Sequence, residues 1–133
     1  MSDDFAVKKI MIVEDNPVNQ KVMQRLVKFF GHDSILVTDG QIAIEQIRLH
    51  KPDLVLMDIQ LVGISGIEIT SNIKNDDELK SIPVIAVTAS ATFEDQEKIT
   101  RESHCDDYLA KPFSPKELSE KISQFIAVKE INF

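Results

Sequence analysis

Three carboxylates stand directly after apolar runs in this sequence. Glu14 and Asp15 follow Ile10-Met11-Ile12-Val13, and Asp58 follows Leu54-Val55-Leu56-Met57. A third run, Val84-Ile85-Ala86-Val87, ends at Thr88, and a weaker one, Asp107 to Ala110, ends at Lys111-Pro112. Laid side by side as strands, these runs bring three carboxylates, one hydroxyl and one ammonium to a common rim. Every strand ends in something polar, so each residue alone says little. The set says more. Crowded carboxylates repel one another and are costly without a cation. A Mg²⁺ ion takes oxygen ligands, commonly one or two carboxylates with water and phosphate. Lys111 offers a compact positive charge for phosphate, and Thr88 can donate to a phosphoryl oxygen. The combination suits phosphoryl transfer, which depends on positioning and charge neutralisation. A carboxylate can also be the nucleophile and form an aspartyl-phosphate. Asp58, ending the central run, is the candidate. Asp53, at the start of the same run, reads as a loop or capping residue.

The elements that must position these residues are legible in the same pattern. Runs of four, apolar on both faces, suit strands of a parallel sheet covered on both sides. Ser34 to Thr38 and Asp107 to Ala110 read as weaker strands. Helical spacing lies between them: Val18, Val22, Leu26 and Phe29, with Asn16 as cap, Pro17 at the first helical position and Gly31 as stop. Ala43, Ile44 and Ile47 mark a second helix closed before Pro52, and Ile69 and Ile73 a third that starts near Gly66. Phe93 to Ser103 is mostly polar, with Ile99 its clearest buried candidate. Leu118, Ile122, Phe125 and Ile126 mark a last helix behind Ser114-Pro115. Strand then helix, five times over, predicts an α/β fold with a five-stranded parallel sheet, doubly wound as (βα)5 with right-handed crossovers. An α+β domain with an antiparallel sheet is the alternative, and the regular alternation argues against it. In an open parallel sheet, ligands bind beyond the carboxyl ends of the strands.

Length and charge narrow the function classes. The 133 residues suit a single domain over 1–133, with short tails at Met1 to Val7 and Lys129 to Phe133. A net charge of -7 disfavours nucleic acid as a partner. Cys105, the one cysteine, permits no intrachain disulfide and suits a reducing cytosol. The acidic start carries no secretory signal, and no apolar run approaches a membrane span. The expected location is therefore cytoplasmic. His32, His50 and His104 lack metal spacing and read as surface or loop residues.

From about Lys9 to Phe125 the chain resembles the receiver domain of two-component response regulators, whose fold is flavodoxin-like. The resemblance is carried by Ile12-Val13-Glu14-Asp15-Asn16, Lys51-Pro52-Asp53-Leu54-Val55-Leu56-Met57-Asp58, Gly66, Ile82 to Ala89, and Asp107-Tyr108-Leu109-Ala110-Lys111-Pro112-Phe113. It implies that Asp58 is the phosphoacceptor, charged by a histidine kinase or a histidine phosphotransfer protein. It implies a Mg²⁺ ion, with Mn²⁺ as an alternative, held by Asp15, Glu14, Asp58 and the backbone carbonyl of Gln60, with Glu14 acting through a bound water. Thr88 and Lys111 become the phosphoryl contacts, Lys111-Pro112 a cis peptide, and Thr88 with Tyr108 the switch pair. Taken without the family, Tyr108 reads as an ordinary half-buried strand tyrosine. Gln60 and Ser90 match positions that tune phosphoryl lifetime. The implied protein is no enzyme on other substrates. It is a signalling protein that catalyses only its own phosphorylation and dephosphorylation, and acts on a downstream protein target.

The chain departs from the family pattern in two places. Val62, followed by Gly63, stands where many receivers have proline, which predicts a more mobile loop from Gln60 to Gly66. Ser103-His104-Cys105 replaces a common Ala-Gly-Ala or Ala-Gly-Cys beside the output face, and reads as drift in a surface turn rather than as a determinant of partner choice. With no residues after Phe133 for an effector, the expectation is a stand-alone receiver. The stretch from Lys51 to Gly66 resembles single-domain cell-cycle regulators of the family. The alternatives are a receiver fragment of a hybrid histidine kinase and an aspartate-nucleophile phosphatase. The phosphatase is disfavoured because Gln60 stands where a second aspartate belongs. A flavin-binding protein is disfavoured by the charge of Glu14-Asp15-Asn16.

Overall fold

A computed structural model describes residues 5–129. Five parallel strands form one sheet: β1 (Lys9–Val13), β2 (Asp33–Val37), β3 (Leu54–Asp58), β4 (Val84–Thr88) and β5 (Asp107–Ala110), in the order β2-β1-β3-β4-β5. Five helices connect and flank them: α1 (Pro17–Phe29), α2 (Ala43–His50), α3 (Gly66–Lys74), α4 (Phe93–Ser103) and α5 (Pro115–Ser123). A 3-10 turn, Gly40–Ile42, leads into α2. The doubly wound α/β arrangement expected from the sequence is the one observed.

Strand pleating explains why the central strands are apolar on both faces. Successive side chains alternate across a sheet. Ile10, Ile12, Leu54, Leu56, Ile85 and Val87 face α1 and α5, meeting Met23, Val27, Phe30, Leu118 and Ile122. Met11, Val13, Val55, Met57 and Val84 face α2 and α3, meeting Ala43, Ile47, Ile69 and Ile73. A smaller cluster of Ile59, Ala86, Ile99 and Cys105 lies under α4, with Tyr108 packed against it.

The face of α1 differs from its sequence reading. Val18, Val22 and Phe29 are 70%, 47% and 53% exposed, whereas Met23, Val27 and Phe30 are buried. The two stripes are neighbours on the helix, and the one that packs into the core carries Met23 and Val27. Periodicity alone does not choose between two adjoining stripes. The cap readings hold: the Asn16 side chain accepts from the amides of Val18 and Asn19, and Gly31 takes a φ of 93° after the last turn. Phe125 and Ile126 lie beyond the end of α5 yet still pack against the core.

Of the tails read from the sequence, residues 1–4 and 130–133 lie outside the described residues, whereas Phe5 and Lys129 make contacts. His32, read as a surface or loop residue, is buried at 2% exposure. Its Nδ1 accepts from the Lys8 amide at 2.9 Å, and its Nε2 lies 2.5 Å from the Ala127 carbonyl. The Phe5 ring lies 5.0 Å from the imidazole, and the Lys129 amide donates to the Phe30 carbonyl at 3.0 Å. An amide N–H can only donate and a carbonyl can only accept, so this pairing requires a neutral ring protonated on Nε2.

Candidate phosphoryl and metal site

Register brings the acidic residues together. Val13 pairs with Met57, so the next residues, Glu14 and Asp58, leave adjacent strands side by side. Thr88 pairs with Ala110, and the Lys111 amide donates to the Thr88 carbonyl at 2.7 Å, which brings Lys111 to the same rim. The residues expected at the carboxyl ends of the strands are thus assembled.

Glu14 and Asp58 are 1% and 3% exposed. Lys111 Nζ lies 2.9 Å from Glu14 Oε1 and 3.7 Å from Asp58 Oδ1, bridging the two carboxylates. Glu14 Oε2 accepts from the Asn16 amide at 3.2 Å, and Asp58 Oδ1 from the Gln60 amide at 3.1 Å. Burial raises the pKa of Asp58 to about 6, with the neighbouring Glu14 adding to the rise and Lys111 opposing it. Burial also works against ionised Glu14. Hydrogen bonds from Asp58, Lys111 and the Asn16 amide, with the Lys111 charge, outweigh that and hold Glu14 below its usual value. Of the two, Asp58 is therefore the carboxyl that takes up a proton first as pH falls.

Glu14, Asp15 and Asp58 each offer an oxygen within 4.8 Å of the others. Three hard oxygen donors at that spacing fit a Mg²⁺ ion, whose charge relieves the repulsion among them. No softer ligand accompanies them among the described residues.

The β3–α3 loop follows close backbone packing. Gly66 has no room for a side chain, because a Cβ there would come 2.1 Å from the Asp58 carbonyl oxygen. Its amide donates to the Ile59 carbonyl, and Ser65 caps α3 by accepting from the Ile67 amide. Val62, expected only to loosen this loop, has a further part: its amide donates to Asp15 Oδ2 at 2.8 Å. A proline there has no N–H to give. The absence of proline was the available signal, but the partner across 47 residues was not legible.

The two loops beside Asp58 are joined through Gln60. Its Nε2 donates to Thr88 Oγ1 at 3.2 Å, and its Oε1 accepts from the Ala89 amide at 3.1 Å. The Ser90 hydroxyl donates to Asp95 Oδ2 at 2.6 Å, and with Thr92 it holds the Asp95 carboxyl below its usual range. Asp95, unmarked in the sequence reading, thus turns the Ser90 hydroxyl toward the first turn of α4. A small cavity of about 170 Å³ opens between Gln60, Thr88, Ser90, Ile59 and Ile99. Tyr108 is half-buried, with Lys121 Nζ 5.4 Å above its ring and bound in turn to Asp107 at 3.0 Å. The Lys111-Pro112 peptide is cis, as the resemblance implied.

Comparison with known proteins accounts for the assembly. Residues 10–123 match the sequence model of the response regulator receiver domain. The polar-differentiation response regulator DivK of Brucella anthropi is 45% identical over 119 residues, covering 90% of this chain and 96% of that protein. Its Brucella ovis counterpart is 44% identical over the same coverage. Among solved structures, the receiver domain of a Pseudomonas aeruginosa sensor histidine kinase is 35% identical with a TM-score of 0.82, covering 90% of this chain and 98% of that one. Its description places a magnesium ion in the active site cleft. The Vibrio cholerae chemotaxis protein CheY4, at 18% identity and a TM-score of 0.82, shares the fold over 91% of this chain. The carboxylates, hydroxyl and ammonium on this rim are therefore those of a chain that belongs to the response regulator receiver family.

Proposed function

We propose that residues 1–133 act as one receiver that takes a phosphoryl group onto Asp58 and signals through contact with another protein. The observation that carries this is the bridging of buried Asp58 and Glu14 by Lys111, with Asp15 at ligand distance. In the step, an Asp58 carboxylate oxygen forms a bond to phosphorus as the bond from phosphorus to its leaving group breaks. Lys111, 3.7 Å from Asp58, is placed to meet the charge of the incoming phosphoryl oxygens. Thr88 supplies a hydroxyl from the end of β4. Asp15, Glu14, Asp58 and the Gln60 carbonyl would hold Mg²⁺, which neutralises charge between carboxylate and phosphoryl group. The magnesium in the related kinase receiver supports that choice of ion over Mn²⁺.

The phosphodonor is a histidine kinase or a histidine phosphotransfer protein, as the family implies. A groove of about 310 Å³ beside Lys111, lined by Asn19, Val22, Met23, Pro112 and Phe113, supports docking of a protein donor near Asp58. For output, Thr88 and Tyr108 form the switch, and Gln60 and Ser90 set phosphoryl lifetime. All but Tyr108 line one cavity. Among the described residues, no helix is long and apolar enough to cross a membrane. The chain itself is read as cytoplasmic, and its downstream target as a protein.

Incubation with acetyl phosphate and Mg²⁺, followed by intact mass, tests the reading. One phosphoryl adduct is expected on the wild-type chain and none on Asp58→Asn. An adduct that survives the substitution, or none on either chain, refutes it.

A further inference from the structure

The Gln60 side chain has a fixed sense. The Ala89 amide can only donate, so the atom it meets at 3.1 Å must be the carbonyl oxygen of Gln60. Nε2 is then the end that faces Thr88, and it donates to Oγ1 at 3.2 Å. The Ser90 amide donates to the same hydroxyl oxygen at 3.1 Å. A hydroxyl has two acceptor positions and one hydrogen. Both acceptor positions of Thr88 are occupied, so the hydrogen is the valence left to give. Gln60 also reaches Asp58, since its own amide donates to Oδ1 at 3.1 Å. One residue thus spans the carboxylate and the hydroxyl that stand on neighbouring strand ends.

We propose that Gln60 is a positioning residue whose side-chain amide, together with the Ser90 amide, sets the Thr88 hydroxyl as a hydrogen-bond donor toward a phosphoryl group on Asp58. The inference rests on the reading of Asp58 as phosphoacceptor and Thr88 as phosphoryl contact. It goes beyond lifetime tuning, because it assigns Gln60 an effect on phosphoryl uptake that passes through Thr88. A donor fixed in advance meets developing charge without reorganising at the moment of transfer. Gln60 is exposed, so its replacement leaves the core intact.

The test is a double-mutant cycle on the rate of adduct formation from acetyl phosphate, read by intact mass across a Mg²⁺ titration. Gln60→Met keeps the length of the side chain but removes its donor and acceptor. It is expected to lower the rate at saturating Mg²⁺ about 3–10-fold, the worth of one hydrogen bond. The Mg²⁺ concentration at half-maximal rate should stay within about twofold, because the proposed ligand is the backbone carbonyl, which the substitution retains. Gln60→Glu still accepts from Ala89 but cannot donate to Thr88, and its carboxylate claims the Thr88 hydrogen. It is expected to lose at least as much. In a Thr88→Ala background, Gln60→Met should cost nothing further, since the group it acts on is gone. An equal loss in both backgrounds, or no loss in the wild-type background, overturns the proposal. An adduct that survives Asp58→Asn is a different failure: it removes the parent reading and this one with it.

Discussion

Asp58 is the residue at which burial and function conflict. Its pKa rises from 3.8 to about 6, chiefly through burial, so the folded chain binds this proton more tightly than the unfolded one. The sign follows from linkage: this contribution to stability is full below about pH 3.8 and is lost as pH rises through about 6. Asp58→Asn removes the group and is expected to stabilise the metal-free protein by about 1–3 kcal/mol at pH 8, where wild-type Asp58 is ionised. It should also flatten the fall in stability between about pH 4 and 6. Urea titrations in chelator at several pH values measure both effects, and equal pH slopes in the two proteins would contradict the assignment. The substitution expected to abolish phosphoryl uptake is thus expected to strengthen the fold, a separation that a generally damaging change does not give. Strained or costly groups of this kind gather at working sites.

At the scale of elements, the turn after α4 shows what a departure from family pattern does. His104 takes the left-handed conformation, with φ 59°, and its amide caps the helix on the Thr100 carbonyl. This position favours glycine, because a Cβ there crowds the following carbonyl. His104→Gly is expected to stabilise the chain by about 0.5–1 kcal/mol, the relieved strain being partly offset by the freer unfolded chain. Thermal melts check it, and a fall in melting temperature would show that the His104 side chain contributes more than its strain costs. The neighbours are not neutral either. Ser103 is fully buried, with its hydroxyl on the Ile99 carbonyl and the Cys105 amide on that hydroxyl. The sequence reading took the segment for drift because composition does not reveal a positive φ or a buried hydroxyl. Strands β1, β3 and β4 were legible because four consecutive apolar residues leave few alternatives, and the rim followed from asking what comes next. Gln60 and Val62 were legible only as positions. Their partners, Thr88 and Asp15, lie 28 and 47 residues away, and contacts at that range come from how the loops close.

At the scale of the whole molecule, His32 ties the ends of the described chain to α1 and β2. His32→Ala removes both ring hydrogen bonds and a buried ring, at an expected cost of about 2–4 kcal/mol. Amide exchange at Lys8 and Lys129 should rise by more than at Val13 or Met57. Phosphoryl uptake at Asp58 should keep its wild-type rate, because the tie lies at the other end of the strands. A slowed uptake would mean that the two ends are coupled through the sheet.

That tie has an architectural consequence. Phe5 to Lys8 and Ala127 to Lys129 meet at the pole where β1 and β2 begin, one strand length, about 16 Å, from the carboxylates at the other pole. A polypeptide joined at Phe5 or Lys129 would therefore start from the pole opposite the carboxylates. Under the proposed reading, anything joined at that pole would leave the carboxylate rim clear for both phosphodonor and target.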